Sequence, residues 1–145
     1  MQLPEYVRVQ GREMSYMTKK PVGIFALCWR RVKDGTFSET DKEIFIKADN
    51  WFMENLPYPP FYGDNNDDPN ANASGAITYF KTNNCELMFN RLVPLFELLD
   101  KYKIPYDIIY TNYVGEIIYE DEFQVGVIDG NSICIIAVVE IIVGL

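Results

Sequence analysis

The sequence predicts one α+β domain over residues 1–145, in which two N-terminal helices pack on a mixed β-sheet and one kinked helix forms a crossover. Three observations predict this fold. Apolar residues recur at three- and four-residue steps from about Glu39 to Asn55, which indicates an amphipathic helix. A strand, a helix and a second strand follow each other over residues 76–111. Strand-forming residues then fill most of residues 116–143.

The N-terminal part is expected to hold a short strand and the first two helices. The strand covers residues 5–10, and Gly11 ends it. Pro21 suits the first position of a helix that stops at Gly35. Ser38 suits the N-cap of the second helix, because Asp41 three residues later completes a variant of the capping box.

The middle of the chain changes character twice. The proline-rich and Asn/Asp-rich residues 57–75 exclude a helix and predict a loop. A strand over 76–81, a helix with Pro94 inside it and a strand over 106–111 follow. Pro94 predicts a kink in that helix, and the order of elements predicts a right-handed parallel crossover.

The C-terminal part predicts a long strand over 116–128, a hairpin turn at 129–131 and a last strand over 132–143. The last strand is apolar on both faces. Such a strand is buried in the centre of a sheet or pairs with another subunit, so a homodimer through residues 132–144 is a second expectation.

Composition excludes several kinds of function. The chain has 13 basic and 21 acidic residues and a net charge of -8, which disfavours direct nucleic-acid binding and suits a basic protein surface or simple solubility. It has no histidine, which removes the commonest general base and the usual zinc ligand. We therefore expect no cofactor and no metal.

The cysteines and the termini bear on localisation. Cys28, Cys85 and Cys134 are far apart and odd in number, which favours reduced thiols in a cytoplasmic protein. The N-terminal residues lack the apolar core of a signal peptide. The apolar tail over 132–145 contains Glu140 and is shorter than the ~20 residues of a spanning helix, so no membrane association is expected.

Three consecutive acids interrupt the long predicted strand. Strict alternation puts Glu120 and Glu122 on a solvent-facing row with Glu116, where they need no special explanation. Asp121 would instead face the core. It is interpreted as a carboxylate paired with Arg30, Arg31 or Arg91, as a residue turned outward by a β-bulge, or as a functional carboxylate with a raised pKa.

Two features of the loop call for separate interpretations. Tyr58, Phe61 and Tyr62 lie on a stiff proline-rich backbone, and they are interpreted either as anchors for a partner or as a lid over the core beside Trp51. Residues 64–70 alternate acids and amides like a calcium loop. Pro69 stands where an EF-hand loop needs glycine, which favours a plain solvated loop.

The sequence favours a small acidic non-enzymatic protein that binds the basic surface of a partner protein. Inhibitors, including immunity proteins for toxins and phage-encoded inhibitors of bacterial defence, are the analogous class by size and charge. The expected contacts come from the acidic strand and the aromatic loop, namely Glu116, Glu120, Glu122, Tyr58, Phe61 and Tyr62.

Two alternatives stay open. The first is a small-molecule module for a nucleotide or metabolite, with its pocket between loop 57–74 and the sheet. The second is a hydrolase or transferase that uses residues 120–122, because Glu120 and Glu122 on one strand face would lie ~7 Å apart. Their Glu-x-Glu spacing resembles that of arginine-specific ADP-ribosyltransferases over three residues, without the arginine and Ser-Thr-Ser elements of that family.

Overall fold

The computed structural model describes residues 3–16, 18–62 and 74–128, which form an α+β arrangement of three helices and a six-stranded sheet. The helices are α1 (Ile24–Lys33), α2 (Glu39–Asn55) and α3 (Glu86–Lys101). The strands are β1 (Tyr6–Met14), β2 (Pro21–Gly23), β3 (Ile77–Lys81), β4 (Tyr106–Thr111), β5 (Glu116–Glu120) and β6 (Gln124–Ile128). No helix among these residues is long and apolar enough to cross a bilayer.

β1 pairs with three other strands of the described sheet and is paired along both of its edges. Tyr6 pairs with both β3 and β4, and Gln10 pairs with both β2 and β4. Since a strand has only two edges, β4 occupies one edge of β1, and β3 and β2 share the other. β6 extends the sheet beyond β3, and β5 lies beyond β6.

The prediction of a mixed sheet is wrong for the described strands, in which every pairing is antiparallel. β3 and β4 do run in the same direction before and after α3. β1 lies between them and is antiparallel to both. The predicted crossover treated β3 and β4 as neighbours, because nothing local in the sequence places the N-terminal strand between them.

Gly11 does not end β1, contrary to the prediction. A Cβ atom at this position would lie 2.8 Å from Cδ2 of Leu27 in α1, so glycine lets the helix approach the strand closely. Pro21 also differs from the prediction, because it opens β2 and pairs with Met14 instead of starting a helix. Proline lacks a backbone N–H, and it is tolerated here because Pro21 is the first residue of the strand.

Arg8 joins the two strands that share one edge of β1. Its guanidinium donates hydrogen bonds to the carbonyl oxygens of Thr78 in β3 and Pro21 in β2, each at 3.0 Å. It also donates to Oε1 of Gln10 at 3.0 Å, and the side chain is only 7% exposed. A buried guanidinium therefore bridges the gap between β2 and β3.

The main core lies between the sheet and the helices. Val7, Val9 and Phe80 pack there with residues of all three helices. Neighbouring strand residues alternate to the opposite face, where a second buried cluster contains Ile77, Tyr79, Val114, Val125 and Val127.

α2 begins at the predicted cap. The Ser38 side chain accepts a hydrogen bond from the amide of Asp41 at 3.1 Å. Asp41 is itself buried and accepts hydrogen bonds from Nζ of Lys101 at 2.8 Å and from the Tyr102 hydroxyl at 2.5 Å. This contact joins the start of α2 to the end of α3.

Pro94 lies inside α3, as the sequence requires. Because proline has no N–H, the carbonyl of Asn90 loses its usual helical donor. A bend at this point stays a prediction.

Candidate functional site

The three acids mark a hairpin and not the middle of a strand. β5 ends at Glu120, β6 begins at Gln124, and the two strands pair antiparallel. The amide of Asp121 donates to the carbonyl of Gln124 at 3.0 Å, which closes a tight turn through Glu122 and Phe123. The prediction of one continuous strand over 116–128 is therefore wrong, and the acids lie where a sheet turns into solvent.

Asp121 holds this turn through both of its carboxylate oxygens. Oδ1 accepts hydrogen bonds from the amides of Phe123 at 2.8 Å and Gln124 at 3.0 Å. Oδ2 accepts from the Tyr119 hydroxyl at 2.6 Å and from Nε2 of Gln124 at 3.1 Å. An aspartate that accepts backbone donors two and three residues ahead is a common way to build a turn without glycine.

Among the described residues, Asp121 forms no ion pair with any of the three predicted arginines. Arg30 and Arg31 both contact Oε1 of Glu13, at 3.1 and 3.0 Å. The guanidinium of Arg91 lies over the ring of Trp51, 4.7 Å from its centroid. The pairing was inferred from a core-facing Asp121, and that orientation disappears once the residue lies in a turn.

A β-bulge does exist in β5, but it precedes the acids. The register shifts between Ile117 and Tyr119, so Ile118 is an extra residue opposite β6.

The Tyr119 hydroxyl in this hairpin has a shifted pKa. Burial and the hydrogen bond to Asp121 raise this pKa to about 12. The phenol is therefore neutral at physiological pH and donates to the carboxylate.

We call the exposed carboxylates of this hairpin, Glu116, Glu120 and Glu122, the acidic hairpin. All three residues are exposed. Oε2 of Glu120 also accepts an ion-pair contact from Nζ of Lys81 in β3 at 2.6 Å. Lys81 thus offsets one charge. Glu116 pairs with Ile128 and Glu120 pairs with Val125, so the bulge at Ile118 places these two glutamates on opposite faces of β5. The predicted common row of Glu116 and Glu120 is therefore wrong.

The structure brings the aromatic loop against this hairpin. Nε2 of Gln124 donates to the carbonyl of Pro57 at 2.8 Å. The Phe61 ring packs edge-on against Tyr119, with 6.1 Å between ring centroids. At Gly126 a Cβ atom would lie 2.3 Å from Cε1 of Phe61, so the absence of a side chain there creates the seat for the ring.

The loop aromatics accordingly have different roles. Phe61 folds back onto the hairpin, where its ring contacts Tyr119. Tyr58 is 51% exposed, and its role as a partner contact stays a prediction. The side chain of Tyr62 lies outside what the structure describes.

Several contributors to the site were absent from the sequence prediction. Lys81, Tyr119, Gln124 and Gly126 fix the hairpin and the loop. A glycine inside a strand is a recognised sign of close approach, so Gly126 could have been found. Lys81 and Gln124 carry no such sign, because their importance depends on which strands are neighbours.

Three predictions concern regions or ligands beyond these contacts. The calcium-like run 64–70 and the homodimer strand 132–144 lie outside the described residues. Within the described ranges, no group of three acidic, histidine or cysteine side chains is placed to hold a metal ion. In the described part of loop 57–74, Phe61 packs against Gly126 and Tyr119, and the predicted small-molecule pocket between this loop and the sheet stays a prediction.

Comparison with known proteins adds no assignment. No protein-family model, no curated protein and no solved structure matches the chain significantly.

Proposed function

We propose that this chain is a non-enzymatic acidic protein that binds the basic surface of another protein, as an inhibitor of the immunity or anti-defence kind would. The observation that carries the proposal is that the two predicted contact segments touch each other. Gln124 and Phe61 fasten the proline-rich loop to the hairpin that presents Glu116, Glu120 and Glu122. Exposed Tyr58 therefore lies on a loop fixed to the hairpin that carries these exposed carboxylates.

Pre-organisation supports this proposal on energetic grounds. Binding is weakened by the entropy that side chains and loops lose when they become ordered. Here Asp121 fixes the turn through four hydrogen bonds, and the loop is already seated on the hairpin. Complementary charge would speed encounter with a basic partner and make association sensitive to salt.

A matched pair of charge reversals tests the proposal. Glu116→Lys with Glu122→Lys changes the acidic hairpin and avoids the ion pair between Glu120 and Lys81. Glu39→Lys with Glu43→Lys changes net charge equally on exposed positions of α2. Tagged wild-type and variant proteins are recovered from the native host at low and moderate salt and analysed by native mass spectrometry.

We expect a stoichiometric basic protein with the wild type and with the α2 control, and its release as salt rises. The hairpin variant should lose this protein even at low salt. Equal retention by both variants would reject the acidic hairpin as the contact surface. A chain that carries only a small bound mass would favour the small-molecule alternative instead.

A further inference from the structure

Asp49 is a carboxylate of α2 with apolar neighbours. The residues three and four positions away on the same helix are Phe45, Ile46, Phe52 and Met53, and none of them carries a charge. Phe45 and Phe52 are buried in the main core, whereas Met53 is 64% exposed. Asp49 itself is half-buried. The carboxylate therefore lies where the apolar core reaches the surface.

Two residues of α1 lie beside this carboxylate. The side chain of Trp29 donates a hydrogen bond to it. Burial, and secondly the nearby charge of Asp49, raise the pKa of the Cys28 thiol to about 12. Trp29 also packs edge-on against Phe45, with 5.0 Å between the ring centroids. Asp49 is thus held in the seam between α1 and α2, beside an aromatic side chain that is itself half-buried.

Asp49 lacks a cationic partner among the described residues. None of the ion pairs between them includes it. Asp41, on the same helix, is by contrast paired with Lys101 at 2.8 Å. Burial raises the pKa of Asp49, and the hydrogen bond from Trp29 offsets this only in part. An ionised carboxylate in such surroundings is costly unless a cation compensates it, and residues of this kind are candidates for a functional site.

From these observations we propose that Asp49 binds an arginine side chain of the basic partner, in a site formed by Asp49, Trp29 and Met53 at the seam between α1 and α2. This inference rests on the proposed function and adds a contact that does not involve the acidic hairpin. A guanidinium is weakly hydrated, which suits a half-buried carboxylate beside an aromatic ring. Its fork of N–H donors fits the acceptor positions that the single indole donor leaves unused. The aliphatic part of the arginine side chain would cover exposed Met53.

A matched pair of peptides tests the site. Acetyl-Gly-Arg-Gly-amide carries a guanidinium, and acetyl-Gly-citrulline-Gly-amide replaces it with a neutral urea group of nearly the same shape. Each peptide is titrated into the full-length protein, and the indole N–H signal of Trp29 is followed by NMR. Because the chain has two tryptophans, Trp51→Phe identifies which signal belongs to Trp29.

Two variants of α2 separate the charge of Asp49 from its packing. Asp49→Asn removes the charge but keeps an acceptor for the indole of Trp29. Glu43→Gln is the control, because it removes one charge from an exposed position of the same helix.

We expect the arginine peptide to shift the Trp29 indole signal in the wild type and in Glu43→Gln. The citrulline peptide should leave the signal in place, and Asp49→Asn should weaken binding of the arginine peptide by at least about tenfold. No shift with the arginine peptide would overturn the proposal. Equal shifts with both peptides, or equal affinity of the wild type and Asp49→Asn for the arginine peptide, would also overturn it, because the Asp49 charge would then not be recognised.

The two proposals can fail separately when partner recovery from the native host is repeated with these variants. Asp49→Asn should retain less of the basic partner than Glu43→Gln at moderate salt. Loss of the partner in the hairpin variant combined with undiminished recovery by Asp49→Asn would keep the proposed function and reject the contact at Asp49. Recovery of no basic protein by the wild type would reject the proposed function, even if the arginine peptide binds at Asp49.

Discussion

A single aspartate determines where the acidic hairpin turns. Asp121 accepts four hydrogen bonds, two of them from backbone amides. Neighbouring Glu122 is exposed, and no contact of its side chain contributes to the turn described above. Adjacent carboxylates of nearly the same chemistry therefore differ, because one holds the turn and the other is exposed.

Asp121→Ala is expected to lower the free energy of unfolding by about 1–3 kcal/mol, because it leaves the donors of the turn without their acceptor. Glu122→Ala, one position away, should change it by less than about 0.5 kcal/mol, as is usual for surface sites. Urea denaturation of both variants measures the difference. Similar losses in the two variants would show that the turn does not depend on the Asp121 carboxylate.

Two aspartates of α2 should respond to pH in opposite ways. Hydrogen bonds from Lys101 and Tyr102 lower the pKa of Asp41 below its usual value of 3.8. Burial raises the pKa of Asp49 above that value, although the Trp29 side chain donates a hydrogen bond to it. The Asp41 contribution to stability is therefore present above pH 3.8 and is lost as pH falls through its lower, folded-state pKa. The relation for Asp49 is reversed, because its contribution is present below pH 3.8 and is lost as pH rises through its higher, folded-state pKa.

Asp41→Asn is expected to destabilise the protein at neutral pH and to flatten the loss of stability in acid. Asp49→Asn should stabilise it at neutral pH, and this gain should shrink as pH falls toward 3.8. Urea midpoints across a pH series check both. If the two profiles paralleled that of the wild type, neither carboxylate would be coupled to folding.

At the scale of elements, the proline-rich loop and the β5–β6 hairpin behave as one unit. Phe61 occupies the space left by Gly126 and contacts Tyr119, while Gln124 holds the loop backbone at Pro57. The unit combines segments that are far apart in sequence. Its shape therefore depends on packing between the two elements more than on the local preferences of either one.

Gly126→Ala is expected to cost about 1–3 kcal/mol, because the new methyl group overlaps the Phe61 ring. In a Phe61→Ala background the same change should cost less, since the overlapping ring is gone. A double-mutant cycle from denaturation midpoints should therefore give a coupling of at least about 0.5 kcal/mol. Strict additivity would place Phe61 away from Gly126 in solution.

Local patterns predicted some elements well and failed at others for a physical reason. α2 spans Glu39–Asn55 and β4 spans Tyr106–Thr111, as helical periodicity and strand composition predicted. The hairpin was missed because Asp121 makes its turn through side-chain hydrogen bonds, without the glycine or asparagine signal on which turn prediction relies. Alternation of apolar and polar residues continues across the turn and conceals it.

The arrangement of the whole molecule could not be predicted from such patterns. β1 lies between β3 and β4 and is antiparallel to both. This position is the reason why β3 and β4, which run in the same direction, are not neighbours in the described sheet. The pairing of β1 joins residues separated by most of the chain: the Glu5 amide donates to Oδ1 of Asn112, 107 positions away. Separations of this size leave no local trace in the sequence.

This topology predicts slow folding. Proteins dominated by contacts between distant residues fold in about milliseconds to seconds, because the entropy of closing long loops must be lost before the contacts form. Stopped-flow refolding followed by the fluorescence of Trp29 and Trp51, which pack on the main core, should give a main phase in that range. Complete refolding within microseconds would contradict the placement of β1 between β3 and β4.

Synthesis on the ribosome gives the position of β1 a further consequence. β1 is synthesised before its partners β3 and β4, and β4 ends only at Thr111. During most of translation the strand bearing Val7 and Val9 has β2 alone as an available partner, with one edge and an apolar face uncovered. The yield of this protein in a cell should therefore depend on factors that shield nascent chains, even though the finished fold pairs that strand along both edges.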